Sequence, residues 1–190
     1  MQPIKVLLIS TYELGHQPFG LASPAAWLGK AGADVSSLDL AVQPLNEELV
    51  AQADLVALYV PMHTATRLAV ELIPHLKSIN PQAHLCCYGL YAPTNENHLR
   101  HLGVSTIIGG EFETTLVALH EKLSTAGGKA QDHIQNEPAV SLERQQFLIP
   151  DRASLPALSK YSKLRLPDGT ICQVGYTEAS RGCKHLCRHC

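Results

Sequence analysis

The chain has 190 residues, enough for one well-buried core with a remainder too short for a second. Hydrophobic residues make up 45% and charged residues 17%, as in globular domains, and a net charge of −2 with no basic stripe argues against a nucleic-acid partner. No apolar run approaches the ~20 residues that span a bilayer. "MQPIKVLLIS" also lacks the long apolar region and cleavage site of a secretory signal, so a cytoplasmic protein with no membrane partner is expected.

Residues 1–125 alternate short apolar runs with helical patterns, which predicts parallel β-α units. "KVLLIS" (Lys5–Ser10) is apolar almost throughout, as in a strand covered on both faces. After the loop "TYELGHQPFG", Ser23 and Pro24 read as the N-cap and first residue of a helix that Gly32 closes. "DVSSLDL" (Asp34–Leu40) is a more polar strand, suited to an edge. "DLVALYV" (Asp54–Val60) is a buried strand, followed by a helix with Leu68, Leu72, Leu76 and Ile79 on one face, which Pro74 should kink or break. "HLCCYG" and "VSTIIGG" (Val104–Gly110) give strands four and five, and a last helix starts near Glu111 with Phe112, Leu116, Leu119 and Leu123 as its stripe. Free cysteine is usually buried, so Cys86 and Cys87 read as small core residues of strand four.

Five strands in this pattern predict a doubly wound α/β sheet of flavodoxin-like (Rossmann-like) order, with ligands at the carboxyl ends of the strands. Residues 126–168 change character: a polar stretch without a clear period, with room for a short hairpin or helix, then the proline-rich connector "IPDRASLPALSKYSKL" lying on a neighbouring surface. Residues 169–190 hold a strand after the Asp168-Gly169 turn and then the cysteines. A lone strand cannot satisfy its own backbone, so the chain reads as cut at the opening of a second domain.

Cys183, Cys187 and Cys190 are spaced C-x-x-x-C-x-x-C. In a reducing compartment such a cluster reads as metal-binding or catalytic rather than disulfide-bonded. Three thiolates on a short loop reach three corners of a cubane iron–sulfur cluster, whose iron prefers soft ligands. Zinc is the alternative, with His185 or His189 as a fourth ligand, and would make the chain a non-catalytic binding module with a stapled C-terminus. An electron-carrying iron–sulfur protein is a third reading, for which Cys172 is the sole further thiol within reach.

The stretch "YTEASRGCKHLCRHC" resembles the first strand and cluster loop of the radical S-adenosylmethionine (SAM) superfamily. The resemblance implies that Cys183, Cys187 and Cys190 ligate a 4Fe–4S cluster whose open iron binds SAM. Reductive cleavage of SAM would then give a 5′-deoxyadenosyl radical. It implies a place near the adenine for His189, an electron donor such as flavodoxin or ferredoxin, and a small-molecule or peptide substrate. It also implies a β/α barrel, of which only the first strand is present, so residues 1–190 by themselves are expected to be inactive and the chemistry belongs to a longer parent.

Ahead of this loop, "VLLIS…PFGLASPAAWLGKAGADVSSLDL", "ADLVALYVPMHTATRLAVELIPHLKSINP" and "IIGGEFETTL" resemble the cobalamin-binding domain of the cobalamin-dependent branch, over nearly all of residues 4–123. The opening "LLISTYELGHQPFGLASPAAWL" is also similar to a subgroup named for a cysteine- or selenocysteine-Ala-Glu-Pro tail. The D-x-H-x-x-G of some cobalamin domains is replaced by "TYELGHQPFG", which implies binding of cobalamin without a histidine below the cobalt. A corrinoid would lie across the strand ends, against Thr11 and Tyr12, the loop Pro61, Met62, His63 and Thr64, Gly89 and Leu90, and Gly109, Gly110 and Glu111. Paired glycines admit a ligand to the backbone where a helix begins, or simply turn strand into helix. The implied reaction is methyl transfer or another radical step.

Overall fold

The computed structural model describes residues 3–125, 137–146, 148–178 and 181. Five strands lie where the apolar runs predict them: β1 (Lys5–Ser10), β2 (Asp34–Asp39), β3 (Leu55–Tyr59), β4 (His84–Tyr88) and β5 (Thr106–Gly110). They are joined by α1 (Phe19–Lys30), α2 (Glu47–Gln52), α3 (His63–Ile79) and α4 (Glu96–His101), and α5 (Glu113–Thr125) follows β5. The sheet is parallel in the order β2-β1-β3-β4-β5, the flavodoxin-like order, with β2 at the edge. A sixth strand, β6 (Ala139–Ser141), comes from the stretch read as linker and pairs in parallel with β5. Three residues carry too little pattern to be recognised as a strand; β5 supplies the ladder that makes them one.

The near-continuous apolar runs are explained by burial on both faces. Val6, Leu8, Ala57, Cys86 and Ile108 pack with Leu21, Ala25 and Leu28 of α1 and Leu116, Leu119 and Leu123 of α5. Their neighbours Leu7, Ile9, Val56, Leu58, Cys87 and Ile107 face the other way, onto Val50, Ala69, Ile73, Leu76 and Leu99 of α2, α3 and α4. Burial pushes the Cys87 thiol up to about 12 and Cys86 well above its ordinary value, so both remain protonated core residues.

Three helix expectations need correction. Helix α1 begins at Phe19, so Ser23 and Pro24 lie inside it rather than at its start. Proline has no N–H for the Gly20 carbonyl one turn earlier; the buried Tyr88 hydroxyl donates to that carbonyl instead, at 2.8 Å. Gly20 is required there because a Cβ would enter the Tyr59 ring. Helix α3 runs through Pro74 as one element, and its buried face is Ala65, Ala69, Ile73 and Leu76, with Leu68 and Leu72 only half-buried. Small residues let α3 lie close to the sheet, and a count of leucines alone misplaces the stripe.

After β6 the connector crosses the carboxyl end of the sheet. Asp151 N donates to Ala22 O at 2.9 Å, Gln17 Nε2 to Pro156 O at 2.9 Å, and Ser162 N to Gly15 O at 2.9 Å. Leu155 and Tyr161 are buried against the domain. The strand expected to stand alone is paired: β7 (Lys163–Arg165) and β8 (Ile171–Gln173) form an antiparallel hairpin across Asp168-Gly169. Gly169 has φ +89°, as tight hairpin turns require. Among the described residues no helix is long and apolar enough to cross a membrane.

Candidate functional site at the carboxyl end of the sheet

The crevice of this strand order is expected between β1 and β3, where the winding reverses. Here the connector occupies that end. Gln17 Oε1 accepts from Arg152 Nη1 at 2.7 Å, Arg152 Nη2 donates to Tyr176 O at 2.7 Å, and the His16 ring stacks on Tyr176 at 4.9 Å. The open space is displaced toward β3–β6, as a cleft of about 430 Å³. That size suits a small-molecule site. Tyr59, Pro61, Leu90, Pro93, Phe112, Val140 and Leu142 give it an apolar lining, and Glu111, Glu178 and Arg181 a charged one.

Aromatic rings pack together at this end of the sheet. Tyr88 and Phe112 meet edge-on at 5.0 Å between centroids, and Tyr59 lies 5.7 Å from Phe112. Arg181 stacks on this layer, its guanidinium 3.8 Å from the Phe112 centroid. It donates Nη1 and Nη2 to Glu113 at 2.6 Å each, Nη1 to Glu111 at 3.0 Å, and Nε to Glu178 at 2.8 Å. Glu113 is fully buried and also accepts from Ser23 Oγ at 2.7 Å; the Tyr59 hydroxyl donates to Glu178 at 3.2 Å. Burial opposes the arginine's charge, but Glu113 and then Glu178 outweigh it and hold the guanidinium above its ordinary value.

A second polar group lies beneath the connector. Glu13, Asp39 and Tyr161 are buried; Glu13 Oε2 has no hydrogen-bond partner, and the Tyr161 hydroxyl faces the Asp39 carboxylate. Burial, then the neighbouring Glu178 and Asp39 charges, push Glu13 up to about 8. Burial also raises Asp39, partly offset by the Ala41 N–H it accepts. Burial and the facing Asp39 raise the Tyr161 hydroxyl.

The cleft gathers some of the predicted contacts: Pro61, Leu90, Gly110 and Glu111 line it. Gly110 has φ +66°, and a Cβ there would run into the Ser141 carbonyl, so this glycine also lets β6 approach. Gly109 is buried against Pro93 and Val140, and Gly89 turns the chain at φ +114°. Thr11 and Tyr12 are not in the lining; the Thr11 hydroxyl donates to Ala65 O at 2.9 Å and so anchors the start of α3. Met62 caps α3 half-buried, while His63 and Thr64 are exposed on its first turn. His63 borders a separate pocket with Arg67, Tyr91 and His98. Cys183, Cys187, Cys190, His185 and His189 lie outside the described residues. Among the described residues no group of three or more His, Cys, Asp or Glu side chains is arranged to hold a metal ion.

Sequence reasoning missed Arg181, Glu113, Glu178, Tyr59 and Tyr176 as site residues. The Ser-Arg-Gly-Cys run was a signal for Arg181. Nothing local distinguishes Glu113 from a solvated glutamate in a first helical turn.

No family model and no curated protein matches this chain. Among solved structures it is similar to the radical S-adenosylmethionine methyltransferase TsrM from Kitasatospora setae. With cobalamin and a [4Fe–4S] cluster bound, that protein matches at TM-score 0.56 and 17% identity, over 66% of this chain and 25% of that one. With tryptophan substrate and a SAM analogue bound, it matches at TM-score 0.54 and 17% identity, over 64% and 26%. A flavodoxin from the domain Archaea aligns at TM-score 0.42 and 10% identity, over 70% of this chain and 100% of that one. The chain thus spans about a quarter of the length of the methyltransferase, with which it shares a fold.

Proposed function

We propose that this chain is the corrinoid-binding sheet domain and the opening of the cluster-binding domain of a cobalamin-dependent radical SAM enzyme. One observation carries the reading: Arg181, two residues before Cys183, is seated in the wall of the cleft at the carboxyl end of the sheet. Arg181, the described residue nearest in sequence to the three cysteines, therefore lies in the wall of a cleft of about 430 Å³. TsrM, whose fold the chain shares, holds cobalamin and a [4Fe–4S] cluster, which supports the same pairing here.

The cleft suits a flat, largely apolar macrocycle. Leu90 and Leu142, 60% and 86% exposed, offer apolar contact at its rim, and Tyr59 and Phe112 build the aromatic layer within. No histidine is among its described lining residues. Three thiolates suit an iron–sulfur cluster with one iron left open. When bound, that cluster would supply the electron that cleaves SAM, and the corrinoid would support methyl transfer or another radical reaction. The chain's own part is to hold the two groups near each other, exclude water with the aromatic layer, and carry Cys183, Cys187 and Cys190 to the cleft.

The test is retention of hydroxocobalamin by the 190-residue chain through gel filtration. Leu90→Asp and Leu142→Asp place a charge on the rim at exposed positions, and should weaken retention on the order of 10-fold each without lowering stability. Retention unaffected by both changes, or none by the parent chain, defeats the corrinoid assignment.

A further inference from the structure

The polar wall of the cleft commits its charged donor to the protein and leaves acceptors facing the opening. Arg181, the cation among the described lining residues, gives Nη1 to Glu111 and Glu113, Nη2 to Glu113 and Nε to Glu178. The Tyr59 hydroxyl proton goes to Glu178 Oε1. An anion entering the cleft therefore meets a guanidinium already paired with three carboxylates. Acceptors are in surplus. Glu111 Oε1 has no hydrogen-bond partner among the described residues, and the Glu111 side chain is 19% exposed. Glu178 takes one bond on each oxygen, which leaves a lone pair on each.

Charge follows the same pattern. Three carboxylates on one guanidinium make the wall net negative. Arg152, a further cation at this end of the sheet, is outside the lining and donates to Gln17 and the Tyr176 carbonyl. Two lining tyrosines report the field: burial, then Glu178 and Glu13, raise both the Tyr176 and the Tyr59 hydroxyl against the opposing Arg181.

We infer that this wall selects the ligand of the cleft by charge: Glu111 and Glu178 accept from N–H groups on the edge of an apolar ligand and repel a carboxylate presented there. The apolar lining supplies contact area, and the acidic wall supplies orientation and discrimination. A carboxylate would lose its water without gaining a donor, whereas a carboxamide exchanges water for a charged acceptor. The choice of probes rests on the corrinoid reading of the cleft, in which the groups concerned are the carboxamides at the ring edge.

The experiment compares two dicyano-corrinoids by equilibrium dialysis against the 190-residue chain at neutral pH. Dicyanocobinamide carries carboxamides at its ring edge, and dicyanocobyrinic acid carries carboxylates there. The amide form should bind on the order of 100-fold more tightly. Glu111→Gln keeps the shape of the side chain but removes its charge and adds a donor, and should cut that ratio on the order of 10-fold. Glu178→Gln tests the same wall from the other side should the first variant fail to fold. Glu121→Gln, at an exposed position of α5 outside the lining, removes an equal charge and should leave the ratio unchanged.

Equal or tighter binding of the acid by the parent overturns the inference while the corrinoid reading stands. So does a ratio that Glu111→Gln and Glu178→Gln both leave intact. An equal fall in Glu121→Gln also overturns it, because net charge rather than the wall would then discriminate. Binding of neither corrinoid overturns the corrinoid reading and this inference together.

Discussion

Two buried glutamates at the same end of the sheet meet opposite surroundings. Glu113, 0% exposed, is paired with Arg181 and accepts from Ser23; Glu13, 5% exposed, has one oxygen without a partner and faces Asp39 and Glu178 instead. Glu113 holds a segment from far along the chain, while Glu13, pushed up to about 8, retains its proton at neutral pH and lies under the connector. Similar burial thus gives an ion-pair anchor where an arginine arrives and a protonated side chain where none does, as desolvation requires.

This contrast predicts unequal mutational costs. Arg181→Met leaves the Glu113 charge buried without its cation, and urea unfolding should show a loss of ~3–5 kcal/mol, the usual penalty for half a buried pair. A loss under ~1 kcal/mol would place the cluster among solvated surface pairs and break the contrast. Glu13→Gln should act through pH instead. The folded-state value near 8 lies above the ordinary 4.5, so the folded protein binds this proton more tightly. Its stabilisation is complete below about 4.5 and is lost as pH rises to about 8, by on the order of 1 kcal/mol per pH unit. The parent should therefore lose stability relative to the variant as pH rises through that window, and parallel profiles would show that Glu13 ionises freely.

Smaller effects sharpen the boundary between the two regions. Tyr88→Phe strands the Gly20 carbonyl that Pro24 has already deprived of its helical donor, and should cost ~1–3 kcal/mol in thermal or urea unfolding. Asn46→Ala removes the side chain that accepts from Glu48 N and Leu49 N at the start of α2, remote from both glutamates, and should cost ~1 kcal/mol without altering the pH profile.

The sheet was legible because burial on both faces writes itself as unbroken apolar runs at β1, β3, β4 and β5, and β2 betrayed its edge position by polarity. What escaped was decided by distant partners. Pro24 reads as a helix start until Tyr88, 64 positions later, supplies the hydroxyl that lets it sit inside α1. β6 is a strand only because β5 is beside it, and the α3 stripe includes Ala65, Ala69 and Ile73, which a count of leucines overlooks. The apolar rim of the cleft was partly visible in Pro61 and Leu90, whereas of its charged wall only Glu111 was. Glu113 and Arg181 acquire their roles only when residues 68 apart are brought together.

The central claim is that Cys183, Cys187 and Cys190 are the ligands of an iron–sulfur cluster. The most direct measurement is the metal content of the 190-residue chain after anaerobic reconstitution with iron and sulfide, beside a Cys183→Ala/Cys187→Ala/Cys190→Ala variant. The account predicts about four iron and four sulfide per chain, absent from the variant. About one zinc per chain and no sulfide-bound iron would contradict it.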